Sequence, residues 1–371
     1  MRHRRTQSPA QHRRWPALTI ARFNLPQHRD PGKLEDDEIG FHRTPCMSLE
    51  PPLLFALRGS EPLGAKIAQH LSLPLAAHEE REFDDGEHKA RPLENVRGRC
   101  CYALHGDASS SANDKLNRLL FFIVTLKDAS AARVIAVVPY LAYARKDRKT
   151  KPRDPVTMRY VAQLFEAVGT DTLLALEVHN PAAFQNVFRC PTEQLDSAGL
   201  FARHIAGKLG PGEVAVVSPD AGGVKRAALF RERLSQALGR PVNMGFVEKY
   251  RSAGLLSGEL LVGEVAGRQV LLFDDLISSG QTLVRAATAC GARGAASIWA
   301  AAAHGLCNTD ALQRLGAGPI DRIFVSDSVN VVGIVGTPPE TRLEVVSCAT
   351  LLGEAIRRAH EGGSIVALMQ S

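Results

Sequence analysis

A chain of 371 residues is long enough for two domains, each able to bury its own core. Its apolar residues make up 45% of the sequence but form no run of about twenty, which argues against a membrane-spanning helix. The formal charge of +6 is unevenly placed: residues 1–46 carry nine Lys and Arg against five Asp and Glu, so the rest is nearly neutral and gives no case for nucleic-acid binding.

Residues 1–48 mix Pro, Arg and His without apolar periodicity, the pattern of a disordered basic extension. They lack the apolar core of a secretory signal, and the acidic run LEDDE is foreign to a transit peptide. Met47, directly ahead of the first plausible strand, can serve as the natural start. Seven cysteines, at 46, 100, 101, 190, 290, 307 and 348, show no CxxC pair and read as reduced cytoplasmic thiols.

From Leu53 onward, short apolar runs alternate with helical patterns, which predicts an α/β fold with mainly parallel sheets flanked by helices. Strands are expected near residues 53, 100, 133, 173, 213, 269, 297 and 322. The clearest helix runs from Asp114 to Lys127, with Leu116, Leu119, Leu120, Ile123, Val124 and Leu126 on one stripe. The alternation starts again around Leu195, giving two similarly built halves, 49–195 and 196–371, without an exact repeat.

Motifs sit at the ends of these runs. In EFDDGEHK, Phe83, Asp85, Gly86 and Glu87 form a glycine-containing loop whose aromatic face and acids suit a purine, although an ordinary hairpin would read the same way. In RVIAVVPYLAYARKDRK, a strand leads into Arg145, Lys146, Asp147, Arg148 and Lys149, a charge run placed to meet a polyphosphate. His179 follows another strand in ALEVHN, and Asp220 lies in VVSPDAGG, whose glycines allow close backbone approach. Lys249 and Arg251 occur together in NMGFVEKYRSAG. The most informative segment is QVLLFDDLISSGQTL, where a buried strand ends in Asp274 and Asp275. Ser278, Ser279, Gly280, Gln281 and Thr282 then offer hydroxyls and backbone N–H groups to a phosphate at a helix N-terminus.

That last segment resembles the ribose-phosphate motif of type I phosphoribosyltransferases. With the other motifs in order, residues from about 53 to 360 resemble the ribose-phosphate pyrophosphokinase family. The resemblance implies two phosphoribosyltransferase-like domains, an ATP-side half at 49–195 and a ribose-5-phosphate-side half at 196–371. It also implies a homo-oligomer with ATP near a subunit boundary, and dependence on Mg²⁺. Carried over by residue, it places ATP at Phe83, Asp85, Gly86, Glu87, Arg145 and Lys146, metal at His179 and Asp220, and catalysis at Lys249 and Arg251. Ribose 5-phosphate falls at Arg251, Asp274, Asp275, Ser278, Ser279, Gly280, Gln281 and Thr282.

Four positions depart from the family pattern: Lys146 replaces a glutamine, Glu177 an aspartate, Ser278 a first-position aspartate and Gln281 a glycine. The glutamine at 281 is expected to sit where glycine permits unusual torsions. The readings to compare are an active pyrophosphokinase, a non-catalytic regulatory partner of such an enzyme, and a phosphoribosyltransferase. The last leaves the first half, with its FDDGE and ARKDRK stretches, without a role.

Overall fold

The computed structural model describes residues 50–106, 111–252, 255–329 and 342–370, with side chains at 249–259 outside the description. The extension 1–48 lies outside the described residues. The chain begins with β1 (Leu53–Ala56), α1 (Glu61–Leu71), β2 (His78–Glu82), β3 (His88–Pro92), β4 (Cys100–Leu104) and α2 (Ala112–Asp128). β5 (Arg133–Val138), α3 (Thr157–Ala167), β6 (Thr172–Leu176), α4 (Pro181–Val187) and β7 (Thr192–Leu195) complete the first half. The strands order as β1-β4-β5-β6-β7, all parallel, and β2 and β3 form a separate hairpin.

The second half contains α5 (Ala198–Ala206), β8 (Val214–Ser218), α6 (Val224–Leu238), β9 (Asn243–Ser252), β10 (Leu255–Val262) and β11 (Gln269–Ile277). There follow α7 (Gln281–Ala292), β12 (Ser297–Gly305), α8 (Thr309–Ala317), β13 (Arg322–Ser326) and β14 (Leu343–Val346), then α9 (Ala349–Glu361) and α10 (Ile365–Gln370). Its sheet orders as β10-β9-β8-β11-β12-β13-β14, with only the β9–β10 pairing antiparallel. All eight expected strands are present.

The central strands are apolar throughout because helices cover both faces of each sheet. Along β4, β5 and β6 alternate residues part: Cys101, Ala136 and Leu173 meet Leu119, Phe122 and Phe165, while Tyr102, Ile135 and Leu174 face the other way. The same period of two divides β11 and β12. Val270, Leu272 and Ala300 pack on α7, whereas Leu271, Phe273 and Trp299 pack on α5 and α6, with Phe273 stacked on Phe230 at 4.2 Å. The stripe expected on α2 is buried at Leu119, Leu120, Ile123 and Leu126; Phe122 joins it, and Leu116 and Val124 lie at its margin.

The end of the chain crosses back. Leu351, Leu352, Ala355 and Ile356 of α9 and Ile365 of α10 bury the second face of the first sheet together with Ile67 of α1. A division at 195/196 therefore follows the sheets but not the last two helices. Residues 44–371 pack as one unit. The strands TEQL and LEVV, with the β9–β10 ribbon, complete the two large sheets beyond the apolar runs, and the polar strand HEERE belongs to the separate hairpin.

Candidate active site

The carboxyl ends of β6, β8 and β11 open onto one cavity of about 920 Å³ between the two sheets. Ligands of open α/β sheets bind at such ends because the backbone and following helix N-termini converge there. β6 delivers Glu177, His179 and Asn180; β8 delivers Asp220, Gly222 and Gly223; β11 delivers Asp274 and Asp275, followed by Ser278, Ser279, Gly280 and Thr282. Arg145, Asp147 and Arg148 close one wall.

The acid pair is held in two different states. His179 Nδ1 donates to Asp275 Oδ2 at 2.7 Å, and the Arg226 guanidinium lies 3.5 Å from Asp274 Oδ1 and 3.7 Å from Asp275 Oδ1. Burial and the charge of Asp275 push the Asp274 carboxyl up to about 8. Burial works against Asp275 as well. The His179 hydrogen bond and the Arg226 charge outweigh it and hold Asp275 well below the usual carboxylate range. The two neighbouring carboxyls are thus pushed in opposite directions by their surroundings.

The loop after β11 is shaped from behind. Gly280, at φ +70°, is the left-handed N-cap of α7, and a Cβ there would stand 2.8 Å from Leu315 Cγ of α8. Arg314 of α8 donates to the Ser279 carbonyl. Gln281 is the first residue of α7 and is exposed, outside the positive-φ set among the described residues. The expected strain at Gln281 is corrected accordingly: the torsion that needs glycine belongs to Gly280, which the chain retains. Gln281 also does not line the cavity, unlike its neighbours on either side.

Asp220 is extended, and its Oδ1 accepts from the Gly223 N–H at 3.1 Å. A Cβ on Gly223 would come within 2.8 Å of Ser218 Oγ, so this glycine also serves packing. Asn180 caps α4 through Oδ1 and donates from Nδ2 to Asp147 Oδ2 at 2.6 Å, tying the ARKDRK loop to the strand end that carries His179.

Other expected residues are not brought together. Phe83, Asp85, Gly86 and Glu87 form the turn of the β2–β3 hairpin, where Phe83 N–H donates to Glu87 O and the Arg81 guanidinium lies 5.1 Å from the Phe83 ring centroid. None of the four lines the cavity. Lys146 is exposed and also outside the lining, whereas Arg145 and Arg148 are within it. Lys249 and Arg251 fall on β9, and their side chains lie outside the described residues.

Sequence reasoning missed Arg226. It donates to Glu177 Oε1 at 2.9 Å and to the His179 carbonyl at 3.2 Å while facing both aspartates, so it joins the two halves at the cavity floor. A buried acid at Glu177 within ALEVHN and a cation in GGVKRA were the available signals.

A strand-end acid pair above a glycine-shaped helix N-terminus defines a phosphoribosyl-binding α/β protein. Residues 53–169 match the N-terminal domain of ribose phosphate pyrophosphokinase, and residues 258–370 match the phosphoribosyl synthetase-associated domain. A ribose-phosphate pyrophosphokinase of Caldanaerobacter subterraneus is 36% identical over 84% of this chain and 96% of its own length. One from Caulobacter vibrioides is 38% identical over 82% and 96%. The solved phosphoribosylpyrophosphate synthetase of Mycobacterium smegmatis superposes with a TM-score of 0.75 at 31% identity, covering 85% of this chain and all of that one. The chain belongs to the ribose-phosphate pyrophosphokinase family.

Proposed function

We propose that this protein transfers the pyrophosphoryl group of Mg-ATP to the anomeric hydroxyl of ribose 5-phosphate, giving 5-phosphoribosyl 1-pyrophosphate and AMP. The observation that carries the reading is one cavity with a sugar-phosphate cradle on one wall and Arg145 and Arg148 on another. Asp274 and Asp275 would hold the ribose hydroxyls. The N–H groups and hydroxyls from Ser278 to Thr282 would take the 5-phosphate at the N-terminus of α7. The anomeric oxygen would then attack the β-phosphorus in line, while the bond from that phosphorus to the AMP oxygen breaks. The obstacle is negative charge, so positioning and cations carry the catalysis. Lys249 and Arg251 are assigned to neutralise the transferring group, with Arg251 also contacting ribose 5-phosphate.

The donor set suits Mg²⁺ as a lightly held ion. No cluster of three or more His, Cys, Asp or Glu fit for a metal occurs among the described residues. Mg²⁺ retains several waters and takes substrate phosphates, so sparse protein ligation is enough. With Nδ1–H given to Asp275, His179 has Nε2 bare as an acceptor, the arrangement by which a carboxylate orients a metal-binding imidazole. Asp220 would be the second ligand. Bound there, Mg²⁺ supplies charge neutralisation and polarisation of the phosphates.

The FDDGE hairpin fits the purine of ATP if it reaches a neighbouring copy's cavity, which accounts for its distance from the cavity of its own chain and implies a homo-oligomer. A cytoplasmic location is part of this proposal; among the described residues no helix is long and apolar enough to cross a membrane.

The test is to incubate the protein with ATP, Mg²⁺ and ribose 5-phosphate and to follow AMP and the pyrophosphate ester by phosphorus NMR. The expected result is sugar-dependent AMP that falls about 10²–10³-fold in Lys249→Ala. Binding of ribose 5-phosphate without turnover would contradict the reading and point to a regulatory partner.

A further inference from the structure

His304 ends β12 in the second half, is 2% exposed, and takes no part in the chemistry above. Its hydrogen bonds nevertheless run to the first half. Nε2 lies 3.1 Å from the carbonyl oxygens of both Leu176 and Glu177. Two acceptors facing one ring nitrogen require that nitrogen to carry the proton. Nδ1 is then an acceptor, and the one proton of the Ser328 hydroxyl is shared between Nδ1 at 2.8 Å and the Ala303 carbonyl at 3.1 Å. Burial lowers the imidazole pKa and keeps the ring neutral. Tyr140, from the first half, packs edge-on at a centroid distance of 5.0 Å.

The two carbonyls belong to a strained turn. Glu177 has φ +44°, a region that costs a non-glycine residue roughly 1–3 kcal/mol and persists only where the surroundings impose it. The imposition is visible group by group. The Glu177 N–H donates to Leu195 O at 2.7 Å, Oε1 accepts from Arg226, and Oε2 accepts from both the N–H and the hydroxyl of Ser197. The carbonyl is left to His304. Three of these grips, Ser197, Arg226 and His304, come from the second half. Two residues further along the chain stands His179.

We propose that His304 is a positioning residue. By holding the Leu176 and Glu177 carbonyls from across the boundary, it fixes the turn that presents His179, so the metal-binding geometry forms only where the two halves are docked. This role rests on the reading of His179 as a metal ligand. It also gives Glu177 a purpose at a position where the family carries aspartate: a side chain one methylene longer spans Arg226 and Ser197 and locks the turn.

Two substitutions separate positioning from packing. His304→Phe keeps a ring against Tyr140 but leaves both carbonyls without a donor, whereas His304→Gln returns an N–H near the place of Nε2. Protein-bound Mn²⁺ is measured by electron paramagnetic resonance on the full chain with α,β-methylene-ATP, and ribose 5-phosphate binding by calorimetry. His304→Phe is expected to weaken Mn²⁺ binding about 10–100-fold and His304→Gln to recover most of it, with sugar-phosphate affinity, which feels His179 only through Asp275, changed less than Mn²⁺ affinity in both. Unchanged Mn²⁺ binding in a folded His304→Phe protein overturns the proposal. A loss of sugar-phosphate affinity as large as the Mn²⁺ loss also overturns it, since that would mean general loosening. If His304→Phe does not fold, Ser328→Ala removes the hydroxyl that stands 2.8 Å from Nδ1 and 3.1 Å from the Ala303 carbonyl; a few-fold loss of Mn²⁺ affinity supports the role, and no loss overturns it. Absence of Mn²⁺ binding in the unaltered protein would instead sink the metal reading of His179, and the positioning role with it.

Discussion

The two ends of the cavity differ in how much of each one chain supplies. At the end proposed for the sugar phosphate, one strand and the loop after it bring Asp274, Asp275, Ser278, Ser279, Gly280 and Thr282 together, and α8 braces that loop from behind. At the end proposed for the nucleotide, Arg145 and Arg148 face the cavity while Phe83, Asp85 and Glu87 sit on a hairpin outside it. A site formed by consecutive residues is complete wherever the strand folds. A site assembled from distant elements depends on what those elements pack against, on the proposed reading a second copy of the chain.

The largest change expected outside the catalytic pair comes from Arg226→Leu, which strands Glu177 and Asp275 as buried carboxylates. Denaturant unfolding should show a loss of about 3–5 kcal/mol, with both ends of the cavity affected. Unchanged stability would mean the halves are joined elsewhere. Phe83→Ala should separate the ends instead: loss of a stacking face worth roughly 1–3 kcal/mol raises KM for ATP and leaves KM for ribose 5-phosphate unaltered. Equal changes in the two constants would break the comparison.

The acid pair gives a pH signature. The folded-state pKa of Asp274 is raised from 3.8 to about 8, so its contribution to stability is full below the unfolded value and is lost as pH rises through about 8. Asp274→Asn should therefore gain thermal stability over the unaltered protein increasingly from pH 5 to pH 8, as read from melting midpoints. A gap constant with pH would contradict the assignment. The smallest effect belongs to Gln281→Gly. Glycine at the first turn of α7 costs at most about 0.5–1 kcal/mol, and KM for ribose 5-phosphate should stay the same.

The sheets were legible because their central strands are covered on both faces and so are apolar throughout, as in RVIAVV and QVLLF. HEERE and TEQL were not, because their polar residues contact solvent or neighbouring loops and carry no apolar run. The return of α9 to the first sheet was hidden as well, since its amphipathic stripe fits any apolar face. The residues proposed for the sugar phosphate could be placed on one cavity wall from the sequence because they are consecutive. Arg226 could not, because its meaning lies in carboxylates that are 49 and 48 residues away along the chain. The glycine requirement was assigned one residue late, at Gln281 instead of Gly280, because the boundary of α7 decides which torsion is left-handed.

The most direct test of the account is complementation between two defective chains. Phe83→Ala/Glu87→Ala and Lys249→Ala are each purified alone and also co-expressed, and formation of the pyrophosphate ester is measured per site. If the hairpin of one copy completes the cavity of the next, random mixing makes about a quarter of the sites fully native and restores activity in that proportion. Activity of the mixed assembly no higher than the mean of the two separate proteins would contradict a nucleotide end shared between copies.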